Sequence, residues 1–443
     1  MQSSNIFSLL SSEQKRFIDR MTDPSSPDTF IALWRMGTGK TRIALAAYAL
    51  SEFNDCLIIT RRVAFGSWVE EIEKCGLDFL VYQDNYTPKN LLRLGPTKKR
   101  VLLISAGDLK NVPENFPKGE MLVVDELYLF GNPQSLRSKL IRNISMFCSS
   151  RIGLTGTIMP AQDNITIFGV LRALNTHSVL ARTATAFRSE YQQMFKGRFG
   201  KEFKNHPDAP AKIAEKIAHM VDYNFPEARP TRIQILACDK TSQQAAAIEE
   251  MKEFYEHKER TYDFAIQVVN AVNGISDGWF IESDGSVSFT PTLKIERLLA
   301  LISEILAEGE RVVVWCAYHN DIDRIGSELK QPWLEFTARV PFDEAKWKSS
   351  FSSIVLATEA NGASVNHFAD VKYAIYYSIN WKLLDLEQSM MRHERKSSKH
   401  DGANYYFLQT KGTNDARIYN MVKSSGATEK ELVMTLADEI FCQ

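Results

Sequence analysis

The run Arg35-Met36-Gly37-Thr38-Gly39-Lys40-Thr41 concentrates residue types that bind phosphate. It follows the apolar stretch Phe30 to Trp34 and opens the small-residue stretch Ile43 to Leu50. Strand, tight turn and helix in that order let backbone N–H groups close on an anion at a helix N-terminus. Gly37 and Gly39 permit the turn, with Thr38 between them. Lys40 can reach the β- and γ-phosphates of a nucleoside triphosphate, and the Thr41 hydroxyl can ligate magnesium. The glycine that the full consensus places five residues before Gly39 is here Trp34.

Two further groups suit the same chemistry. Met121-Leu122-Val123-Val124-Asp125-Glu126 reads as a buried strand ending in two carboxylates. Asp125 would hold Mg2+, directly or through water, and Glu126 would orient and deprotonate an attacking water. Far downstream lies Gln388-Ser389-Met390-Met391-Arg392-His393-Glu394-Arg395. On one helix, Gln388, Arg392 and Arg395 would share a face. Guanidinium groups are planar, permanently charged forks that fit phosphate oxygens. The plainer reading is a basic helix end, since Lys396, Lys399 and His400 continue the charge.

In this order the segments resemble the superfamily-two helicase-like ATPases, and in detail the Swi/Snf-type DNA translocases. The resemblance implies two RecA-like domains with ATP in the cleft between them. It makes Gln14 an adenine reader, Arg395 an arginine finger and Arg392 its γ-phosphate neighbour. Cys56 to Arg62 with Trp68 and Glu71 is similar to the family's next strand and its W-x-x-E helix. Two arginines stand where its proline usually does. Arg61 and Arg62 either touch a DNA phosphate or form a solvated strand end. Leu127-Tyr128 replaces the family's Ala-His after Glu126. Leu154-Thr155-Gly156-Thr157 resembles Leu-Thr-Gly-Thr-Pro, with Ile158 for the proline; Thr155 is expected near nucleic acid. Asn361 to Asn366 resembles a glycine-containing loop that meets DNA and ATP, with Gly362 and Asn366 retained and Ser364 in place of a second glycine.

The elements that must position these groups alternate strand and helix twice over. The first block, residues 1–225, has strands near Phe30, Cys56, Phe79, Val101, Met121 and Arg151. Its tail, about 164–223, reads as a mostly helical insertion. The second block, 226–443, begins with a strand from Thr231 to Cys238 and a helix from Ser242 to His257. Gly274 to Gly285 reads as a loop or short hairpin, and Thr428 to Phe441 as an amphipathic closing helix. The fold class is therefore α/β, as two tandem RecA-like domains. Phe195 to Lys204 mixes basic and aromatic residues with two glycines. It suits a flexible loop whose Lys196 and Arg198 touch phosphates, or a solvated loop with its phenylalanines tucked in.

The chain has 443 residues and a net charge of −1, so no global field draws it to nucleic acid. Any DNA site must be a local basic track making backbone contacts, with duplex DNA favoured. The six cysteines lie far apart without a C-x-x-C pair, which argues against zinc and a disulfide framework. Met1 to Ser12 lacks a secretory leader's early charge, and no apolar run suits a membrane span. A cytoplasmic location is expected, and compactness with divergent motifs suggests a bacterial or bacteriophage source.

The leading expectation is an ATP-driven, DNA-stimulated translocase. A strand-separating helicase in replication, recombination or repair is the alternative. A non-catalytic nucleic-acid-binding protein with a decayed ATPase site is a third class. A small-molecule kinase would leave Gln388 to Arg395 unexplained.

Overall fold

The computed structural model describes residues 6–83, 98–111, 120–156, 164–197, 200–226, 231–254, 256–257, 260–261, 265–340, 342–349, 351–359, 367–380, 382–394 and 398–424. The chain divides into two compact units, Met1–Pro226 and Glu227–Gln443. Each is built on one large parallel sheet with helices packed on it, the RecA-like layout expected of an α/β chain.

The first unit contains β1 (Thr29–Trp34), β2 (Asp55–Thr60), β3 (Leu80–Gln83), β4 (Arg100–Ser105), β5 (Met121–Asp125) and β6 (Ser150–Thr155). Three shorter strands follow, β7 (Gln192–Gly197), β8 (Gly200–Asn205) and β9 (Val221–Asn224). The sheet order is β3-β4-β2-β5-β6-β1-β9, every pairing parallel. The central strands are continuous apolar runs because helices cover both faces, giving one core around Trp34 and Trp68 and another around Val124 and Phe168. In such sheets ligands gather at the carboxyl ends of the strands. Those ends here carry Thr60, Asp125, Thr155 and the turn after Trp34.

The span 164–223 is less helical than its sequence suggests. Helices Ile165–Ala173, Ala184–Tyr191 and Ala209–Ile217 are separated by an antiparallel ribbon of β7 and β8. Where a loop was expected, Phe195–Gly197 and Gly200–Lys204 thus pair as antiparallel strands, which sets the register of Phe195 and Phe203. β9 then returns to the main sheet beside β1. Four residues are too few to show a period, and β9 is specified by polar contacts. Asp222, only 2% exposed, accepts from Arg16 Nη2 (2.9 Å), Arg20 Nη1 (2.9 Å) and Trp34 Nε1 (2.8 Å). The carboxylate ties the first helix, Ser12–Thr22, to the sheet. Asp222→Ala would strand a buried indole N–H and two guanidinium groups. The expected loss is roughly 1–3 kcal/mol in urea unfolding of the first unit, with Asp222→Asn costing less.

The second unit contains β10 (Thr231–Cys238), β11 (Glu256–His257), β12 (Arg260–Thr261), β13 (Trp279–Ile281), β14 (Val287–Phe289) and β15 (Val312–Cys316). It continues with β16 (Trp333–Phe336), β17 (Ile354–Thr358), β18 (Tyr373–Tyr376) and β19 (Ala403–Thr410). Its main sheet runs β10-β19-β18-β15-β17-β16, again all parallel. The segment Gly274 to Gly285 resolves into the end of helix Ala265–Asp277 and the first arm of the β13–β14 hairpin. Helix Leu293–Ala307 is fastened through its buried Lys294, whose ammonium donates to Asp277 Oδ1 (2.6 Å) and Asp415 Oδ2 (2.8 Å). Cys56, Cys75, Cys148, Cys238 and Cys316 are buried and unbridged. Among the described residues no helix is long and apolar enough to cross a membrane. The expected closing helix Thr428 to Phe441 lies outside the described residues.

Candidate nucleotide site

The turn after β1 has the conformation its glycines permit. Gly37 and Gly39 stand at φ 80° and 88°, in the left-handed region. Gly39 is the N-cap of helix Lys40–Leu50, so the N-terminal end of that helix faces the turn. Lys40 Nζ donates to Trp34 O (3.0 Å), which holds the ammonium over the turn. The arrangement fits a triphosphate: backbone donors, a helix N-terminus and a lysine share one concave turn. Thr41 follows Lys40 on the first turn of the helix, half-buried.

Gln14 is placed against this turn by its own helix cap. Its Oε1 accepts from Ser11 N (2.9 Å), and its backbone N–H donates to Ser11 Oγ (3.3 Å), a reciprocal capping box. That fixes the amide so that Nε2 donates to Thr38 O (3.3 Å). Gln14 is buried, so an adenine-reading role would require these bonds to be exchanged. A methyl group on Gly39 would collide with Gln14 Nε2. Gly39→Ala would also force a left-handed backbone on a residue that pays about 1–2 kcal/mol for it. The expected result is about tenfold weaker binding of a fluorescent ATP analogue. Adding Gln14→Ala would restore only part of the loss, because the backbone strain remains.

Asp125 ends β5, two strands from β1 with β6 between them, a separation of about 10 Å. Its Oδ2 accepts from Thr60 Oγ1 (2.8 Å) and Trp68 Nε1 (3.3 Å). Its Oδ1 accepts from Glu126 N (3.0 Å). Glu126 itself has φ 49°, an uncommon conformation for a glutamate, which turns the chain off the strand into the short helix Leu127–Phe130. β6 brings Gly156 beside the lysine: a Cβ built there would lie 3.9 Å from Lys40 Nζ. So Lys40, Asp125 and Gly156 share one edge of one sheet. Between them Thr155 is 0% exposed. It is the last residue of β6, a central strand.

Thr60 and Trp68 are the supports that the sequence reading did not assign. Their polar character at the end of an apolar strand and on a buried helix face was the available signal. Glu71, three residues after Trp68, accepts from Arg42 Nε (2.6 Å), which joins the helix after the turn to helix Phe65–Lys74. Arg61 Nη2 donates to Tyr128 OH (2.6 Å), linking the end of β2 to the residue standing in the family's histidine position. Arg62 Nη2 donates to Asp108 Oδ2 (2.8 Å) in an exposed pair, which a phosphate could displace. Lys196 is exposed on β7. No group of three or more His, Cys, Asp or Glu suited to a metal occurs among the described residues.

In the second unit the expected single helix face is corrected. Helix Leu383–Met390 carries Gln388 but ends before Arg392, which follows in a turn with its N–H on Ser389 O (3.1 Å). His393 in the same turn is fixed on both sides of its ring. Trp315 Nε1 donates to its Nε2 (3.2 Å), and its Nδ1 meets Val371 O (2.9 Å). With one nitrogen accepting and the other donating, the ring is neutral, and burial pushes its pKa down to about 4. Gln388 and Arg392 are both buried. Arg198, Gly362, Asn366, Arg395 and the segment Thr157 to Pro160 lie outside the described residues.

No family model matches the chain, and no curated protein matches it. Its fold is similar to two solved structures of the Sulfolobus solfataricus SWI2/SNF2 ATPase core. The one in complex with dsDNA is 17% identical, with a TM-score of 0.43, over 94% of this chain and 91% of that one. The other, the core domain, is 15% identical, with a TM-score of 0.41, over 97% and 93%.

Proposed function

We propose that this protein is an ATP-driven motor that moves on DNA, a member of the helicase-like ATPases with Swi/Snf character. The observation that carries the reading is the meeting of Lys40, Asp125 and Gly156 at the carboxyl edge of one parallel sheet. The backbone donors at Gly37 to Lys40 and the lysine ammonium bind the phosphates. Thr41 and Asp125 hold the metal, with Thr60 and Trp68 fixing the carboxylate. When bound, Mg2+ neutralises charge on the phosphate oxygens. Glu126 takes the proton from the attacking water. DNA as the track is supported by the order of the sequence motifs and by the lysines of the β7–β8 ribbon. Contact through the phosphate backbone would make binding strongly salt-dependent.

The test is ATP turnover without nucleic acid, and with single-stranded DNA, duplex DNA and RNA, with Glu126→Gln as the blank. Stimulation by duplex DNA without release of an annealed strand is the expected result. Release of a strand would transfer the assignment to a helicase. Absence of turnover in every condition would overturn the motor.

A further inference from the structure

The β7–β8 ribbon takes no part in the nucleotide site, yet its construction is specific. Its base is anchored. Gln192 is buried, and its Nε2 donates to Asn205 Oδ1 (2.9 Å) across the ribbon. Asn205 Oδ1 also receives Asn164 N (3.3 Å), and His206 N donates to Tyr191 O (2.9 Å). Arg188, on the preceding helix, stacks 4.2 Å from the Phe203 ring. Beyond that point the described residues are more exposed. Phe203 is half-buried, Met194 is 56% exposed, Phe195 is 39% exposed, and Lys196 is exposed. Two six-residue strands reach about 20 Å.

Two features of this ribbon need an explanation. An isolated two-stranded ribbon gains little stability from its own pairing, so one that keeps adjacent Met194 and Phe195 in water is costly to maintain. Successive strand residues also point to opposite faces. Met194 pairs with Phe203 on one face, so Phe195 lies on the other. A single flat partner surface could cover only one of the two. Planar groups on both sides, as in a strand of bases, could cover both. The sequence agrees: between Gln192 and Asn205 it carries Lys196, Arg198, Lys201 and Lys204 against Glu202, in a chain whose net charge is −1. Lys204 Nζ lies over the Phe195 ring, 5.4 Å from its centre, which places a cation on one side of the aromatic.

We propose that the β7–β8 ribbon is a base-stacking arm: Phe195 stacks on an unpaired base while Lys204, on the same face, holds one flanking phosphate and Lys196, on the Met194 face, holds the next. The ligand class is DNA with unpaired bases, so the arm directs the motor to junctions between duplex and single strand. This rests on the reading of the protein as a DNA motor. Stacking is tolerant of sequence, because every base offers a π-face, and is typically worth about five- to hundredfold in affinity per base.

The experiment uses the full chain and four labelled DNAs: a single strand, a blunt duplex, a fork, and the fork with 2-aminopurine at its first unpaired position. Binding is read by anisotropy and by 2-aminopurine quenching. The wild-type protein is expected to bind the fork more tightly than the blunt duplex and to quench the probe. Phe195→Ala should lose the quenching and at least fivefold of the fork affinity, with blunt-duplex affinity, DNA-free ATP turnover and melting temperature unchanged. Phe195→Trp should restore both signals. Lys196→Glu with Lys204→Glu should weaken binding to all four DNAs. If Phe195→Ala binds and quenches like the wild type, the arm is wrong and the motor stands. If it weakens all four equally, the ribbon does not read unpaired bases. If the wild-type protein binds no DNA, the motor reading falls and takes the arm with it.

Discussion

Glu126→Gln is expected to leave ATP binding intact and to cut turnover by about 10²–10⁴-fold, the span associated with losing a general base. The substitution keeps the size and polarity of the side chain. It also leaves the left-handed turn at φ 49° and the Glu126 N bond to Asp125 untouched. What disappears is the ability to accept a proton from water. Single-turnover hydrolysis and equilibrium binding, measured on the same preparation, separate the two effects. A variant that hydrolyses ATP within a few-fold of wild type would remove Glu126 from the chemistry. Thr60→Val offers a milder companion. It removes the 2.8 Å hydrogen bond that steadies Asp125 without touching the nucleotide turn.

Lys294→Met carries the largest expected cost in stability. Burial alone would push the ammonium pKa down, but Asp277 and Asp415 outweigh that and hold it above its ordinary value. The methionine would fill the space of the stem and leave two buried carboxylates facing each other without a cation. Breaking a buried pair from one side typically costs about 3–5 kcal/mol. The second unit should therefore unfold at lower urea, followed by the fluorescence of Trp279 and Trp315. Adding Asp277→Asn and Asp415→Asn removes the uncompensated charge and should recover much of the loss. If the single variant unfolds like wild type, the triad is not what secures helix Leu293–Ala307.

The parts of this molecule legible in the sequence are those where local pattern and tertiary role coincide. The apolar runs at Phe30, Cys56, Val101 and Met121 read as parallel strands because both faces of each are covered. The turn at Gly37 to Thr41 reads as a phosphate site because backbone conformation there depends on glycine. Where long-range contacts decide, the pattern was silent or misleading. β9 is four residues held by Asp222 through side chains some two hundred positions away. The stretch 195–204 resembled a loop, because alternation of lysine, phenylalanine and glycine shows neither a solvated nor a buried face. The helix expected to run through Gln388, Arg392 and Arg395 ends at Met390. Its periodicity could not foresee that His393 would be pinned between Trp315 and the Val371 carbonyl. Trp68 and Glu71 were visible as a pair, but their tasks, steadying Asp125 and Arg42, required the folded arrangement.

The central claim is that the turn at Gly37 to Thr41 holds the phosphates of ATP. Titration of a fluorescent ATP analogue into wild-type protein and Lys40→Ala, in magnesium buffer, tests it most directly. Saturable binding by wild type, weakened at least tenfold in Lys40→Ala with the melting temperature preserved, is the predicted result. Equal affinity in the two proteins would contradict it.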